Sequence, residues 1–210
     1  MNPTTNTPTD TEHITVLLPA GRLPLAIMAE AHHLAVRYGL EIYLTTLQNL
    51  RLLNVPKTAA AEVRARLAAL GAEFKAPGRF PLPRACVGGP HCNLGLIDTK
   101  AVSATILARF AGRDYTKAKL KIALSGCVLS CSGTRTSDIG IVATRNGYDV
   151  FAGGKGGPAP KIGRRVKKDV TETEMLATVE TLIDFHDRKT GTKQRMVKLL
   201  EDPDFPFAEV

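Results

Sequence analysis

Four cysteines in two close pairs, Cys86-x5-Cys92 and Cys127-x3-Cys131, constrain this 210-residue chain more than any other feature. Four thiols admit a short set of chemistries: disulfides, a zinc site, an iron–sulfur cluster or four unrelated buried thiols. Disulfides need an oxidising compartment. The first dozen residues are rich in Thr, Asn, Pro and Asp and lack the basic start and apolar stretch of a secretory signal. Structural zinc usually takes at least one two-residue knuckle, which neither pair offers. Iron–sulfur clusters tolerate wider spacings, because they need only thiolates converging from loops. In Cys86-Val87-Gly88-Gly89-Pro90-His91-Cys92 the paired glycines let the backbone fold tightly around a bulky inorganic core. N–H groups freed there can donate to cluster sulfurs. If the second pair lies on a helical turn, its four-residue step puts Cys127 and Cys131 on one face. Cluster ligation is the expectation, with unrelated thiols as the alternative.

The net charge is +8, and its location says more than its size. Positions 100–168 hold fourteen Lys and Arg against three Asp and no Glu, an excess of eleven positive charges. A solvated basic face, a nucleic-acid footprint or a site for an anionic ligand each explain such an excess. Aromatics make up only 5%, few interleave with the basic residues, and no helix-turn-helix or zinc-finger spacing occurs. Nucleic acid is therefore set aside in favour of an anionic small molecule or cofactor. With 44% apolar and 23% charged residues, the composition excludes wholesale disorder, collagen and coiled coil. No apolar run approaches the roughly 18 residues that span a bilayer. A cytoplasmic protein without membrane contact is expected.

Residues 1–12 read as a disordered leader, and strand character begins at 14–18, ended by Pro19-Ala20-Gly21. Leu25, Met28, Ala31, Leu34, Ala35 and Tyr38 follow at helical spacing, with Gly39 as the stop. Extended stretches at 41–46 and 50–55 and a helix over 58–70 complete a β-α-β-β-α order, a two-layer unit over 13–76. The Pro-, Gly- and Arg-rich stretch 76–90 marks a boundary or functional loop, so a second domain occupies 77–210. There Asp98 caps a helix to Phe110, 119–125 and 138–144 are strands, Asn146-Gly147 is a hairpin turn, 171–187 is helical and a short helix lies near 194–200.

The cysteine pairs, with Asn93-Leu94-Gly95-Leu96-Ile97-Asp98-Thr99 after the first and Ser125-Gly126 before the second, resemble the sulfite and nitrite reductases that couple siroheme to a [4Fe–4S] cluster. The resemblance covers nearly the whole chain. Leu18-Pro19-Ala20-Gly21 and Thr45-Thr46-Leu47-Gln48-Asn49 are similar to that family's ferredoxin-like half domain. Asp138-Ile139-Gly140, Gly147-Tyr148-Asp149-Val150-Phe151 and Gly153-Gly154-Lys155 are similar to its siroheme domain. The implied fold is α+β, a ferredoxin-like βαββα half domain followed by an α/β domain that binds siroheme and [4Fe–4S].

The resemblance implies that Cys86, Cys92, Cys127 and Cys131 hold the cluster, with the Cys131 sulfur bridging to the siroheme iron. The carboxylate-rich macrocycle needs cations, which the basic stretch supplies. Thr46, Gln48, Asn49 and Arg51 fall where the family contacts the macrocycle, and are otherwise ordinary strand-end polar residues. Arg164 and Arg165 match cofactor-carboxylate partners or, equally, a basic hairpin edge. Lys119 and Lys121 match the lysine pair ahead of the third cysteine; on a strand they share a face and would hold and protonate the anion. The plainer alternative is a solvated row completed by Lys117. Arg84 matches the arginine before the first cysteine, or is a surface loop arginine.

Three positions depart from the family: Leu47 and Thr15 stand where full-activity members carry arginines, and Val128 stands for a common proline. The usual enzyme has two related halves and this chain has one, similar to low-molecular-weight assimilatory-type sulfite reductases. A homodimer or partner subunit is compatible with that. The implied activity is reduction of sulfite to sulfide, with nitrite as the alternative anion, fed by an external ferredoxin-like donor because no nucleotide-binding glycine motif is present. Two other readings stand beside it: a non-catalytic siroheme/Fe–S electron carrier or sensor, favoured by Leu47 and Thr15, and a relative acting in tetrapyrrole biosynthesis.

Overall fold

Apolar residues at a period of two in the early strands, and at helical spacing between them, build one small two-layer unit. The structure is a computed structural model that describes residues 10–113, 116, 119–189 and 195–210. The chain divides into two units, 1–76 and 77–210. The first contains β1 (Thr11–Leu17), α1 (Leu25–Tyr38), β2 (Glu41–Leu44), β3 (Leu50–Pro56), α2 (Lys57–Ala68) and β4 (Glu73–Phe74). Its strands form an antiparallel sheet in the order β2-β3-β1-β4. Ile14 and Val16 of β1 and Leu50 and Leu52 of β3 are buried with Ile27, Ala31 and Leu34 of α1 and Val63 and Leu67 of α2. α1 stops where Gly39 adopts a left-handed conformation and donates its N–H to the Ala35 carbonyl. Thr11 and Glu12 fall in the stretch expected to be leader, yet they are strand, because Pro56 and Val55 of β3 lie opposite them. The rest of that leader, 1–9, lies outside the described residues.

The second unit contains β5 (Arg84–Ala85), α3 (Thr99–Phe110), β6 (Ile122–Ser125), β7 (Ile139–Thr144), β8 (Gly147–Ala152), β9 (Arg164–Val170) and α4 (Glu172–Lys189). The sheet order is β5-β6-β7-β8-β9; β5, β6 and β7 run parallel, whereas β7–β8 and β8–β9 are antiparallel. Parallel neighbours need a crossover, and α3 supplies it between β5 and β6. The Asp98 carboxylate caps α3, accepting the Lys100 and Ala101 N–H groups at 2.9 and 3.3 Å. The β7–β8 turn is Arg145-Asn146, one residue earlier than expected, with Gly147 paired to Thr144 inside the ladder. Gly147 is needed there because the Val170 carbonyl oxygen would lie 2.4 Å from any Cβ.

The strand expected over 119–125 is shorter and does not alternate. Lys119 has φ +78° and precedes the strand, while Ile122, Ala123, Leu124 and Ser125 are all buried. A central parallel strand is covered on both faces, so a continuous apolar run replaces the period of two. Lys117 lies outside the described residues, and the helix expected near 194–200 is one 3-10 turn, Met196–Lys198.

The chain end is tied to this sheet. Asp138, fully buried, accepts from Arg195 Nε at 2.7 Å and from the Met196 and Lys121 N–H groups at 3.1 and 3.0 Å. Burial pushes its carboxyl above the ordinary 3.8, and Arg195 opposes that only in part. The native state thus holds the Asp138 proton more tightly than the unfolded chain, so this group's contribution is full below 3.8 and is lost as pH rises through the raised value. Denaturant titrations of wild type and Asp138→Asn should show the wild-type advantage shrinking as pH climbs out of the acid range; an advantage that grows with pH contradicts the assignment.

Candidate functional site

Parallel pairing of β5 with β6 sets Arg84 opposite Ala123 and Ala85 opposite Leu124, so the chain leaves both strands at the same end of the sheet. Ligand sites of open α/β sheets form at that carboxyl end. Both cysteine pairs begin there. The Cys86 N–H extends the ladder by donating to the Leu124 carbonyl at 3.1 Å, and the Gly126 N–H donates back to Cys86 Sγ at 3.1 Å. Thr99 Oγ1 donates to the Cys86 carbonyl at 2.7 Å and anchors the first loop to the start of α3.

Within that loop the Gly89 N–H donates to the Ile97 carbonyl and the Gly95 N–H to the Cys92 carbonyl, both at 2.9 Å. The Leu96 N–H reaches across to the Gly126 carbonyl at 2.8 Å. The close turn requires glycine at 95, where a Cβ would stand 2.3 Å from the Gly89 nitrogen. The two cysteine loops therefore touch, with Gly126 within 3.2 Å of Gly88 if given a Cβ. All four thiols are free; Cys86, Cys92 and Cys127 are half-buried and Cys131 is exposed.

Among the described residues no three or more His, Cys, Asp or Glu side chains are gathered closely enough to hold one metal ion. A zinc-type site, with metal–sulfur bonds of about 2.3 Å, would bring its sulfurs nearly into contact. A cube of four irons and four sulfides holds its thiolates wider apart. Loops 86–97 and 126–137 contain no Asp or Glu, which suits an electron-rich anionic cofactor. Val87, Leu94, Leu96, Val128 and Leu129 are exposed apolar residues on these same loops. These features fit a cluster with a flat apolar partner better than a single ion.

Arg84 joins this site. Its guanidinium lies against Gly133, 2.6 Å from where a Cβ would stand, two residues past Cys131. Its Nε is buried without a hydrogen-bond partner, and burial alone lowers its pKa. Among the described residues it has no carboxylate partner. A desolvated, unneutralised cation against Gly133, at the end of the second cysteine loop, is the arrangement that an anion would relieve.

Other expected residues stand elsewhere. Lys121 immediately precedes β6 and Lys119 sits in the turn before it, whereas Cys127 follows the far end. Four strand residues rise about 13 Å, so the lysines' closeness to Cys127 in sequence is not closeness in space. The shared strand face expected of them is also absent, since Lys119 is outside the strand. Arg164 and Arg165 lie on β9, four strands from β5 and roughly 19 Å across the sheet. Arg164 pairs with Glu201 and donates to the Leu200 carbonyl, at 3.0 Å in the latter case. Arg165 pairs with Asp149 at 3.3 Å and exchanges hydrogen bonds with Val210. Carboxylates and carbonyls of the chain itself already occupy both guanidinium groups, an outcome the sequence pattern gives no means of foreseeing.

In the first unit, Thr45–Asn49 forms the β2–β3 turn. Thr46 is exposed, and Gln48 adopts φ +61° with its side chain against Gly21. Asn49 Oδ1 accepts the Leu18 N–H at 3.4 Å, holding the Pro19-Ala20-Gly21 turn beside the Thr46–Gln48 turn. Arg51 lies between Thr15 and Tyr43 on the sheet face away from Leu50 and Leu52. Its Nε is buried without a hydrogen-bond partner. The sequence reading missed the hydroxyl groups that brace the second loop and Arg135, which stacks over Phe151 at 5.1 Å. Six Ser and Thr within 125–137 were the available signal.

Comparison with known proteins agrees with this geometry. Residues 82–205 match the family described as the nitrite and sulphite reductase 4Fe-4S domain, and 6–70 match the nitrite/sulfite reductase ferredoxin-like half domain. An assimilatory-type sulfite reductase of Nitratidesulfovibrio vulgaris is 29% identical over 118 residues, covering 56% of this chain and 54% of that protein. A ferredoxin–nitrite reductase of Synechococcus elongatus is 30% identical over 178 residues, covering 79% and 34%. The structure of Mycobacterium tuberculosis NirA superposes with a TM-score of 0.73 at 21% identity, over 90% of this chain and 38% of that one. The chain thus spans about half the length of the first relative and a third of the second.

Two outcomes follow from the site. Unfolded without reductant, the apo-protein should titrate four thiols, and a lower number reveals a disulfide. Because Arg84 gives up no ion pair, Arg84→Met should change apo stability in urea by no more than about 1 kcal/mol; a loss of several kcal/mol reveals a native partner.

Proposed function

We propose that this chain, which belongs to the nitrite and sulphite reductase family, reduces sulfite to sulfide, with nitrite as the alternative substrate. Domains of the family bind siroheme and a [4Fe–4S] cluster. The single observation that carries the reading is the meeting of two acid-free cysteine loops at the end of β5 and β6, with the unneutralised Arg84 beside them. In this reading Cys86, Cys92, Cys127 and Cys131 would hold the cluster, with the exposed Cys131 the thiol open to a siroheme. When bound, the cofactors supply the electrons and an iron on which the anion is reduced.

The chain's own residues bind and orient. Arg84 lends its positive charge to the anion or to a cofactor carboxylate, in a setting where burial strengthens the interaction. Val128 and Leu129 exclude water from the face next to Cys131. Thr46, Gln48, Asn49 and Arg51 lie in the first unit, on and just after its β2–β3 turn, with the Arg51 Nε buried. Arg164 and Arg165 hold the chain end and take no part. Electrons come from an external carrier, a reading supported by the Synechococcus elongatus relative, which is named a ferredoxin–nitrite reductase.

Lys119 and Lys121, at the far end of β6 from Cys127, have no assigned part in this reading. Cys131→Ser, with its fold retained, should abolish dye-linked sulfite and nitrite reduction; full activity in that variant contradicts the reading. The non-catalytic carrier reading, favoured by Leu47 and Thr15, requires equally slow anion-dependent dye oxidation by wild type and Arg84→Met; a drop of at least tenfold in the variant excludes it.

A further inference from the structure

We propose that Ser125 and Ser132 form a hydroxyl clasp that positions the Cys127–Cys131 loop for the cluster before any metal arrives. Ser125 is the last residue of β6, Ser132 directly follows Cys131, and both are buried. The two Oγ atoms lie 2.7 Å apart. Ser132 Oγ also stands 2.9 Å from the Leu124 carbonyl, which can only accept, so the Ser132 hydroxyl proton goes there. Ser125 must then donate its proton to Ser132 Oγ, and its own oxygen accepts the Ser132 N–H at 3.3 Å. Every donor in this ring has one acceptor, and no other assignment satisfies all three contacts.

The ring closes a six-residue loop, 126–131, that contains both thiols of the second pair. It also reaches the first pair. The same Leu124 carbonyl that receives the Ser132 hydroxyl receives the Cys86 N–H at 3.1 Å, and the Gly126 N–H inside the loop donates to Cys86 Sγ. One carbonyl therefore references three of the four thiols to the end of β6. Outside the ring, Ser130 Oγ bonds Thr134 Oγ1 and braces the loop on its other side. The serines are positioning residues: they touch no metal, and they act by limiting the arrangements that Cys127 and Cys131 can adopt. A loop held in place loses less conformational freedom when the cluster binds, and groups that orient metal ligands typically affect affinity 10- to 100-fold.

The inference rests on the cluster reading above, and the test separates the two. Wild type, Ser125→Ala, Ser132→Ala and Ser132→Thr are reconstituted anaerobically as full chains, and cluster loss to a chelator is followed by visible absorbance. Each Ala variant should load cluster but release it at least about tenfold faster, with Ser132→Ala at least as fast as Ser125→Ala, which leaves the Ser132 hydroxyl on the Leu124 carbonyl. Ser132→Thr, which keeps the hydroxyl, should restore slow release. A metal-free readout accompanies it: in the wild-type apo chain, the Gly126 and Ser132 amides should be protected in hydrogen exchange. If the Ala variants release cluster at the wild-type rate, or those amides exchange as freely as exposed loop amides, the clasp is wrong. If wild type loads no cluster while its amides are protected, the cluster reading fails and the clasp survives.

Discussion

Everything at the site depends on two strands running in the same direction. Had β5 and β6 been antiparallel, the segments after Ala85 and after Ser125 would leave opposite ends of the sheet, and the two cysteine pairs could not meet. Parallel pairing makes the crossover through α3 obligatory, and the sequence between the pairs provides it: a loop closed by Gly95, the Asp98 cap and twelve helical residues. The spacing of 34 residues between Cys92 and Cys127 is thus the length of one crossover and not a free linker.

Electrostatics then decide which residues serve the site. The second unit is rich in cations, but several of those described are neutralised within the chain: Arg109 by Glu180, Arg113 by Asp184 and Asp187, Arg164 by Glu201, Arg165 by Asp149 and Arg195 by Asp138. Arg84 is half-buried and has none of these arrangements. A charge excess counted along the sequence therefore overstates what is on offer to a ligand. The unpaired, desolvated cation has the larger effect on an anion, because solvent does not screen it.

Much of the first unit was legible because its signals are local. The period of Ile27, Ala31 and Leu34, the stop at Gly39 and the alternation through Leu50 and Leu52 each depend on a few neighbouring residues. The second unit was harder to read. β5 is two residues long and exists only through pairing with β6, and β9 reads as a basic stretch because the chain end neutralises it. Burial on both faces of β6 removed the alternation that placed Lys119 and Lys121 on one strand face. The cysteines were recognisable from spacing and flanking motifs. The serines beside them were not, since a buried hydroxyl ring is a property of three-dimensional closure and Ser125 looks like any strand-end serine.

The central claim is that four thiols from two loops hold one cluster. Anaerobically reconstituted full-length chain, analysed for iron, acid-labile sulfide and low-temperature Mössbauer absorption, tests it most directly. The account predicts four irons and four sulfides per chain in a single cubane environment, lost when any one of Cys86, Cys92, Cys127 or Cys131 becomes serine. Two irons per chain, or a full complement that survives replacement of one of these cysteines, would contradict it.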